Sequence, residues 1–258
     1  MLRDKSESSE LSFLRKPANH RRLWLKCSGA LGQKISNPGY YESLKANAIN
    51  YPNPSFHQIE LDLARTYPHI TDEETLSKYT TPLRNVLYAF VNRNPTVGYC
   101  QGVNFIAARL LACMTEEEAF WTLCQIIECY LPLDYYSNMV GVLIDQKVLQ
   151  HFMRERLPKL VAHLELHDFN PDLIAFQWLA CLFSINLPQH IGFAVWDLFF
   201  IRGMSVIFRF ALTILGMMEE EVLKCDKFED IYLIIEEFCS TKLETQELLR
   251  RFADPITP

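Results

Sequence analysis

Two short stretches of the chain carry side chains that could act together on one ligand. The first is Ile59-Glu60-Leu61-Asp62-Leu63-Ala64-Arg65-Thr66-Tyr67-Pro68. It reads as a short helix stopped by Pro68, with Ile59, Asp62 and Arg65 spaced by threes on one face. The second is Asn94-Pro95-Thr96-Val97-Gly98-Tyr99-Cys100-Gln101-Gly102-Val103-Asn104. It reads as a turn, made by Pro95 and Gly98, that delivers Gln101 to the start of an apolar helix. An arginine closing one helix and a glutamine opening another can present a cation and a water-orienting amide to one ligand. Simpler accounts exist for each. Asp62 and Arg65 also fit a surface i,i+3 pair worth a few tenths of a kcal/mol (~0.3). Gln101 also fits an amide that satisfies free backbone donors at a helix start. The spacing alone does not say that the two stretches meet.

The two stretches together resemble the signatures of the TBC domain, the catalytic module of GTPase-activating proteins for Rab-type small GTPases. Ile59, Asp62 and Arg65 match that family's I-x-x-D-x-x-R pattern, and Tyr99 and Gln101 match its Y-x-Q pattern. Flanking residues extend the likeness over residues 20–252: Arg22-Leu23-Trp24 and Ser28-Gly29-Ala30 early, then Trp178, Leu187-Pro188, Trp196-Asp197 and Gly203. Departures are confined to Leu63-Ala64, Tyr67 and Val103, none of them in the proposed catalytic pair.

The resemblance implies an all-α domain of two helical subdomains that docks on a GTP-bound Rab-family GTPase. Arg65 would be an arginine finger, since phosphoryl transfer to water builds negative charge that a planar guanidinium stabilises. Gln101 would be a glutamine finger that fixes the attacking water, standing in for one the GTPase usually provides. Ile59, Asp62 and Tyr99 would be supporting residues, with Asp62 holding Arg65 and Tyr99 steadying the loop. GTP and magnesium would be carried by the partner, with no cofactor or metal of the chain's own. A role in vesicle trafficking and peripheral recruitment to endomembranes through the GTPase would follow. The alternative is a catalytically silent TBC-like scaffold that binds a small GTPase or another partner; the presence of both Arg65 and Gln101 disfavours it.

Bulk properties narrow the other possibilities. At 258 residues, 49% apolar and 22% charged, the chain has the composition of a globular protein with a substantial core. Its 9 glycines are few for a β-rich fold, and a net charge of -6 argues against a general nucleic-acid binder. No two of the 8 cysteines form a C-x-x-C pair, and most lie in apolar runs, which favours buried free thiols in a reducing compartment. The first residues are charged and Ser-rich, without the apolar core of a secretory signal. The apolar run 191–201 is interrupted by Asp197 and too short for a bilayer. A cytoplasmic location is the expectation. No G-x-x-x-x-G-K-[ST] loop and no G-x-S-x-G elbow occurs, so the chain is expected to bind no nucleotide and to have no hydrolase site of its own. His163 and His167 stand four apart but lack the H-E-x-x-H order.

The elements that must position Arg65 and Gln101 are helices throughout. Apolar residues at threes and fours predict a first helix from 21 that ends at Gly29 or Gly32, then helices from 40, over 56–65 and from 71 to 94, with an irregularity near Pro82. A buried helix follows over 103–114, then one opened by a Thr115–Glu118 capping box and closed by Pro132. Further helices are expected over 140–157, 160–166, 172–185, 188–200, 206–221, 228–239 and 241–252. Residues 1–17 are expected to be a mobile segment containing part of a small basic cluster, Arg15, Lys16, Arg21 and Arg22. The domain would span 18–253 with a subdomain hinge near 131–140, and 254–258 would form a tail.

Overall fold

The computed structural model describes residues 19–50, 53–132 and 134–253. Among them are fourteen α-helices and no strand, so the all-α expectation holds. The expected mobile segment 1–17, the Arg15–Lys16 half of the basic cluster, part of the proline-rich connector at 51–54 and the tail 254–258 lie outside the described residues. The helices fall into two compact units, one from His20 to Gly141 and one beginning at Val142.

The first unit contains α1 (His20–Cys27), α2 (Ala30–Ser36), α3 (Tyr40–Asn50), α4 (Ser55–Thr66), α5 (Glu73–Arg93), α6 (Val103–Leu111) and α7 (Glu116–Gln125). Helix α1 stops just before Gly29, the first of its two expected ends, where a left-handed φ of 81° turns the chain into α2, a helix that the spacing did not predict. At the centre stands α5, which packs against α3, α4, α6 and α7. Its first turn is fixed by Asp72, whose carboxylate accepts from the Thr75 N–H at 2.8 Å, with Glu73 and Glu74 beside the positive end of the helix. Leu83, Val86, Leu87, Phe90 and Val91 form its buried stripe, all at 0% exposure. Each such Leu or Phe contributes about 1.5–3 kcal/mol by leaving water. The helix continues through Pro82, so the expected irregularity does not break it.

Glu118 in α7 carries two jobs. Its carboxylate accepts from the Thr115 N–H at 3.1 Å, the backbone half of the expected capping box. It also receives both ends of the Arg21 guanidinium, at 2.8 and 2.5 Å, which ties α1 to α7. Burial alone would raise the Glu118 pKa, but these bonds hold it down to about 2. A π-turn (Ile126–Tyr130) closes α7 and supplies Glu128.

The second unit is built from the body of α8 (Val140–Arg156), then α9 (Pro158–Leu166), α10 (Asp172–Ala180), α11 (Gln189–Arg202), α12 (Ser205–Val222), α13 (Phe228–Glu237) and α14 (Thr245–Ala253). Its core gathers Trp178, Phe183, Trp196, Phe199, Phe210 and Phe252, none more than 3% exposed. Three boundaries differ from expectation. Pro158 opens α9 at the first helical position rather than only ending α8, since that position has no N–H to lose. A π-turn (Phe238–Lys242) separates α13 from α14. Helix α10 stops at Ala180, not 185, because Leu182 and Phe183 turn left-handed at φ 47° and 60°. That turn returns the Phe183 N–H to the Trp178 carbonyl and offers the Leu182 carbonyl to the Trp196 indole N–H at 2.8 Å. The buried indole bond compensates for the strained backbone.

All eight cysteines are free: Cys124, Cys181, Cys225 and Cys239 are buried, but Cys27 and Cys129 are exposed, against the expectation of burial. His163 places Nε2 2.9 Å from the Cys225 carbonyl. Among the described residues no helix is long and apolar enough to cross a membrane.

Candidate functional site

Helix α4 carries Ile59, Asp62 and Arg65 at the expected spacing but does not bury the three alike. Ile59 (0% exposed), Asp62 (2%) and Leu63 (3%) point inward, while the Arg65 side chain at the last turn is 67% exposed. The helix ends at Tyr67, whose N–H returns to the Ala64 carbonyl, and Pro68 prevents continuation. Helix α4 is held on α5 by an external clamp that the sequence did not announce. Arg84 donates two bonds to the Glu60 carboxylate, at 2.6 and 2.9 Å, and the Tyr88 hydroxyl donates a third at 2.7 Å. Phe56 stacks on the Tyr88 ring at 3.8 Å between centroids. The Arg84 and Tyr88 bonds hold the Glu60 carboxyl below the usual range despite partial burial.

The loop that follows α5 is anchored at its start. Arg93 forks onto Glu128 at 2.8 and 3.0 Å, and the Asn94 amide donates to the same carboxylate at 3.0 Å. Arg93 also lies over the rings of Tyr40 and Trp121, at 5.6 and 5.1 Å. From there the Gly98 N–H closes a turn on the Asn94 carbonyl at 2.9 Å, with Gly98 at φ 65°. The expected turn is therefore present. Gly102, at φ 111°, re-aims the chain into α6, a conformation that favours glycine.

The two stretches do meet, and one meeting point is Asp62. The Tyr99 hydroxyl donates to Asp62 Oδ2 at 2.9 Å, and the Gln58 amide donates to the same oxygen at 3.3 Å. Asp62 Oδ1 stands 3.6 Å from an Arg65 guanidinium nitrogen. Asp62 is thus a buried carboxylate shared by both stretches, not one partner of a surface pair. Its tether on Arg65 is loose, longer than a hydrogen bond and exposed at the arginine end, so moving the guanidinium away costs at most about 1 kcal/mol. Arg65 keeps its planar fork available for a carboxylate or phosphate. Gln101 is exposed on the loop between Tyr99 and Gly102 and makes no bond to Asp62 or Arg65.

Sequence reasoning missed two polar residues in this arrangement. Asn104 (1% exposed) and Thr66 (9% exposed) face each other across α6 and α4, with the Asn104 amide donating to Thr66 Oγ1 at 2.9 Å. The signal was available: Asn104 is the one polar residue early in an otherwise apolar run from Val103.

The site's arrangement is one exposed cation and one exposed carboxamide, on elements fastened to each other and to α5. The Rab-GTPase-TBC domain model matches residues 19–223. TBC1 domain family member 2B of Xenopus tropicalis is 39% identical over 244 residues, covering 90% of this chain. TBC1 domain family member 2A of Homo sapiens is 38% identical over 266 residues, covering 100% of it. Both relatives are far longer, and the chain spans only 25% and 28% of their lengths. Among solved structures, the TBC domain of the Chlamydomonas flagellar RabGAP superposes with a TM-score of 0.83 at 25% identity, covering 97% of this chain and 84% of that one. The family match across both helical units, together with these identities, shows that the chain belongs to the Rab-GTPase-TBC domain family.

Proposed function

We propose that this chain is a GTPase-activating domain that accelerates GTP hydrolysis by a Rab-type small GTPase. It binds the GTP-bound partner, and its exposed Arg65 and Gln101 complete an active site whose nucleotide and magnesium belong to that partner. Arg65 leaves its loose contact with Asp62 and lays its guanidinium against the transferring phosphoryl group, where charge grows in the transition state. Gln101 accepts from the attacking water and holds it in line. Asp62 and Tyr99 position the two, and Ile59 seats the helix that carries Arg65. Association with endomembranes comes through the GTPase.

The observation that carries this reading is the shared buried carboxylate: Asp62 takes the Tyr99 hydroxyl from the glutamine loop at 2.9 Å and stands 3.6 Å from Arg65. A chain that only bound its partner would have no use for a linked pair of exposed groups of this chemistry. The test is single-turnover GTP hydrolysis across a panel of Rab GTPases, with the wild type and Arg65→Ala. Acceleration by the wild type, lost in a variant of unchanged circular dichroism, supports the reading. Full activity in folded Arg65→Ala refutes the arginine role, and binding without acceleration by any chain favours the silent scaffold.

A further inference from the structure

Behind the two exposed side chains lies a buried polar link that no part of the proposed chemistry uses directly. Asn104, at the second position of α6, reaches back and accepts the Gly102 N–H on its Oδ1 at 3.0 Å. Its Nδ2 donates to Thr66 Oγ1 at 2.9 Å, and the Thr66 hydroxyl donates on to the Asp62 carbonyl at 2.7 Å. Gly102 follows Gln101 directly and Thr66 follows Arg65 directly. One carboxamide therefore links the backbone N–H that follows Gln101 to the side-chain hydroxyl that follows Arg65.

The partners allow only one orientation of that amide. A backbone N–H can only donate, so it must meet Oδ1; Thr66 has already given its hydrogen to the Asp62 carbonyl, so it must accept from Nδ2. No other side chain of this size offers an acceptor and a donor on one rigid plane. Aspartate would lose the donor and add a buried charge near Asp62, and leucine would supply neither group. Gly102 needs such a hold. Its φ of 111° lies away from the ordinary basins, and its N–H sits at the start of a helix, where backbone donors lack partners.

We propose that Asn104 is a positioning residue that fixes the spacing between Gln101 and Arg65 through Gly102 and Thr66. It touches neither nucleotide nor water. The inference rests on the GTPase-activating reading, because the value of a fixed spacing is that both groups reach one phosphoryl group together. A link of this kind acts on the rate of the bound complex rather than on its formation. A misplacement near 1 Å costs up to about 100-fold in rate.

The test uses the chain with a GTP-loaded Rab that the wild type accelerates, measuring the single-turnover rate at saturation and the half-saturating concentration. Thr66→Val, equal in volume, removes the acceptor for Asn104; it should lower the saturating rate about 10- to 100-fold and move half-saturation less than about threefold. Thr66→Ser keeps the hydroxyl and should recover most of the rate. Asn104→Leu should match Thr66→Val, yet lose less than about threefold when placed in Gln101→Ala, where no glutamine remains to be positioned. Hydrogen exchange of the Gly102 amide, measured on the chain alone, should speed about tenfold in Thr66→Val. An unchanged rate in Thr66→Val overturns the proposal, and so does an equal loss with and without Gln101, since that marks general destabilisation. If the wild type accelerates no Rab while Gly102 exchange responds as expected, the GTPase-activating reading fails and the physical link stands. An exchange rate that does not respond removes the link itself.

Discussion

Replacing Tyr99 by phenylalanine removes one oxygen and nothing else, and that oxygen bridges the two stretches directly at Asp62. The Tyr99 hydroxyl donates to Asp62 Oδ2 at 2.9 Å, and Asp62 is 2% exposed, so water does not take over the bond. A hydrogen bond to a charged acceptor is worth about 1.5–3 kcal/mol net. The Gln58 amide at 3.3 Å remains on the same oxygen and softens the loss, which places the expected destabilisation near the lower end, about 1.5–2 kcal/mol. For a chain of this size that is a fall of about 3–8 °C in Tm. The rate effect follows from geometry: without the bridge the loop bearing Gln101 is held from its two ends only, and the hydrolysis rate at saturation should fall by about tenfold or more. Calorimetry and single-turnover hydrolysis on the same preparation check both numbers. A Tyr99→Phe chain with wild-type Tm and wild-type rate would refute the claim that Asp62 joins the two stretches.

Other consequences are more local. Glu118 has a folded pKa of about 2, below the usual carboxylate value of about 4.3, so its contribution is present above pH 4.3 and is lost as pH falls toward 2. Urea unfolding should find Glu118→Gln about 2 kcal/mol less stable than wild type at pH 7, with the gap closing by pH 2; a gap that persists there would contradict the Arg21–Glu118 account. Cys27 and Cys129 should react with a thiol reagent within minutes, while Cys124, Cys181, Cys225 and Cys239 label only in denaturant, which mass spectrometry can resolve residue by residue. Gly102→Ala should cost about 1–2 kcal/mol through its positive φ and lower the hydrolysis rate; equal stability to wild type in urea would contradict the strain argument.

What the sequence disclosed and what it withheld follow from the range over which each signal acts. Pro68 as the stop of α4 and the Pro95–Gly98 turn are local, and each has its expected form. The capping pair Thr115–Glu118 is equally local, but the long-range half of Glu118's role, its bond to Arg21 ninety-seven residues away, left no trace in spacing. The same holds for Asp62: its helical position predicted a contact with Arg65, whereas its burial and its bond to Tyr99 depend on how α4 and the loop pack. Helix α10 shows the converse. Residues 172–185 carry continuous apolar character, so composition gave no stop, and the chain leaves the helix because Leu182 and Phe183 find better partners in Trp196 and Trp178. Asn104 was visible as a polar residue in an apolar run, yet its partner Thr66 lies thirty-eight residues away and could not be named.

The central claim is that Arg65 and Gln101 act on the transition state and contribute little to ground-state binding. Its most direct test is the affinity of the chain for one Rab GTPase in two forms, GTP-bound and GDP-bound with aluminium fluoride, which mimics the transferring phosphoryl group. The account predicts that Arg65→Ala and Gln101→Ala each weaken binding to the aluminium fluoride form by about 100-fold or more and leave binding to the GTP form within about threefold. Equal losses in both forms, or no loss in either, would contradict it.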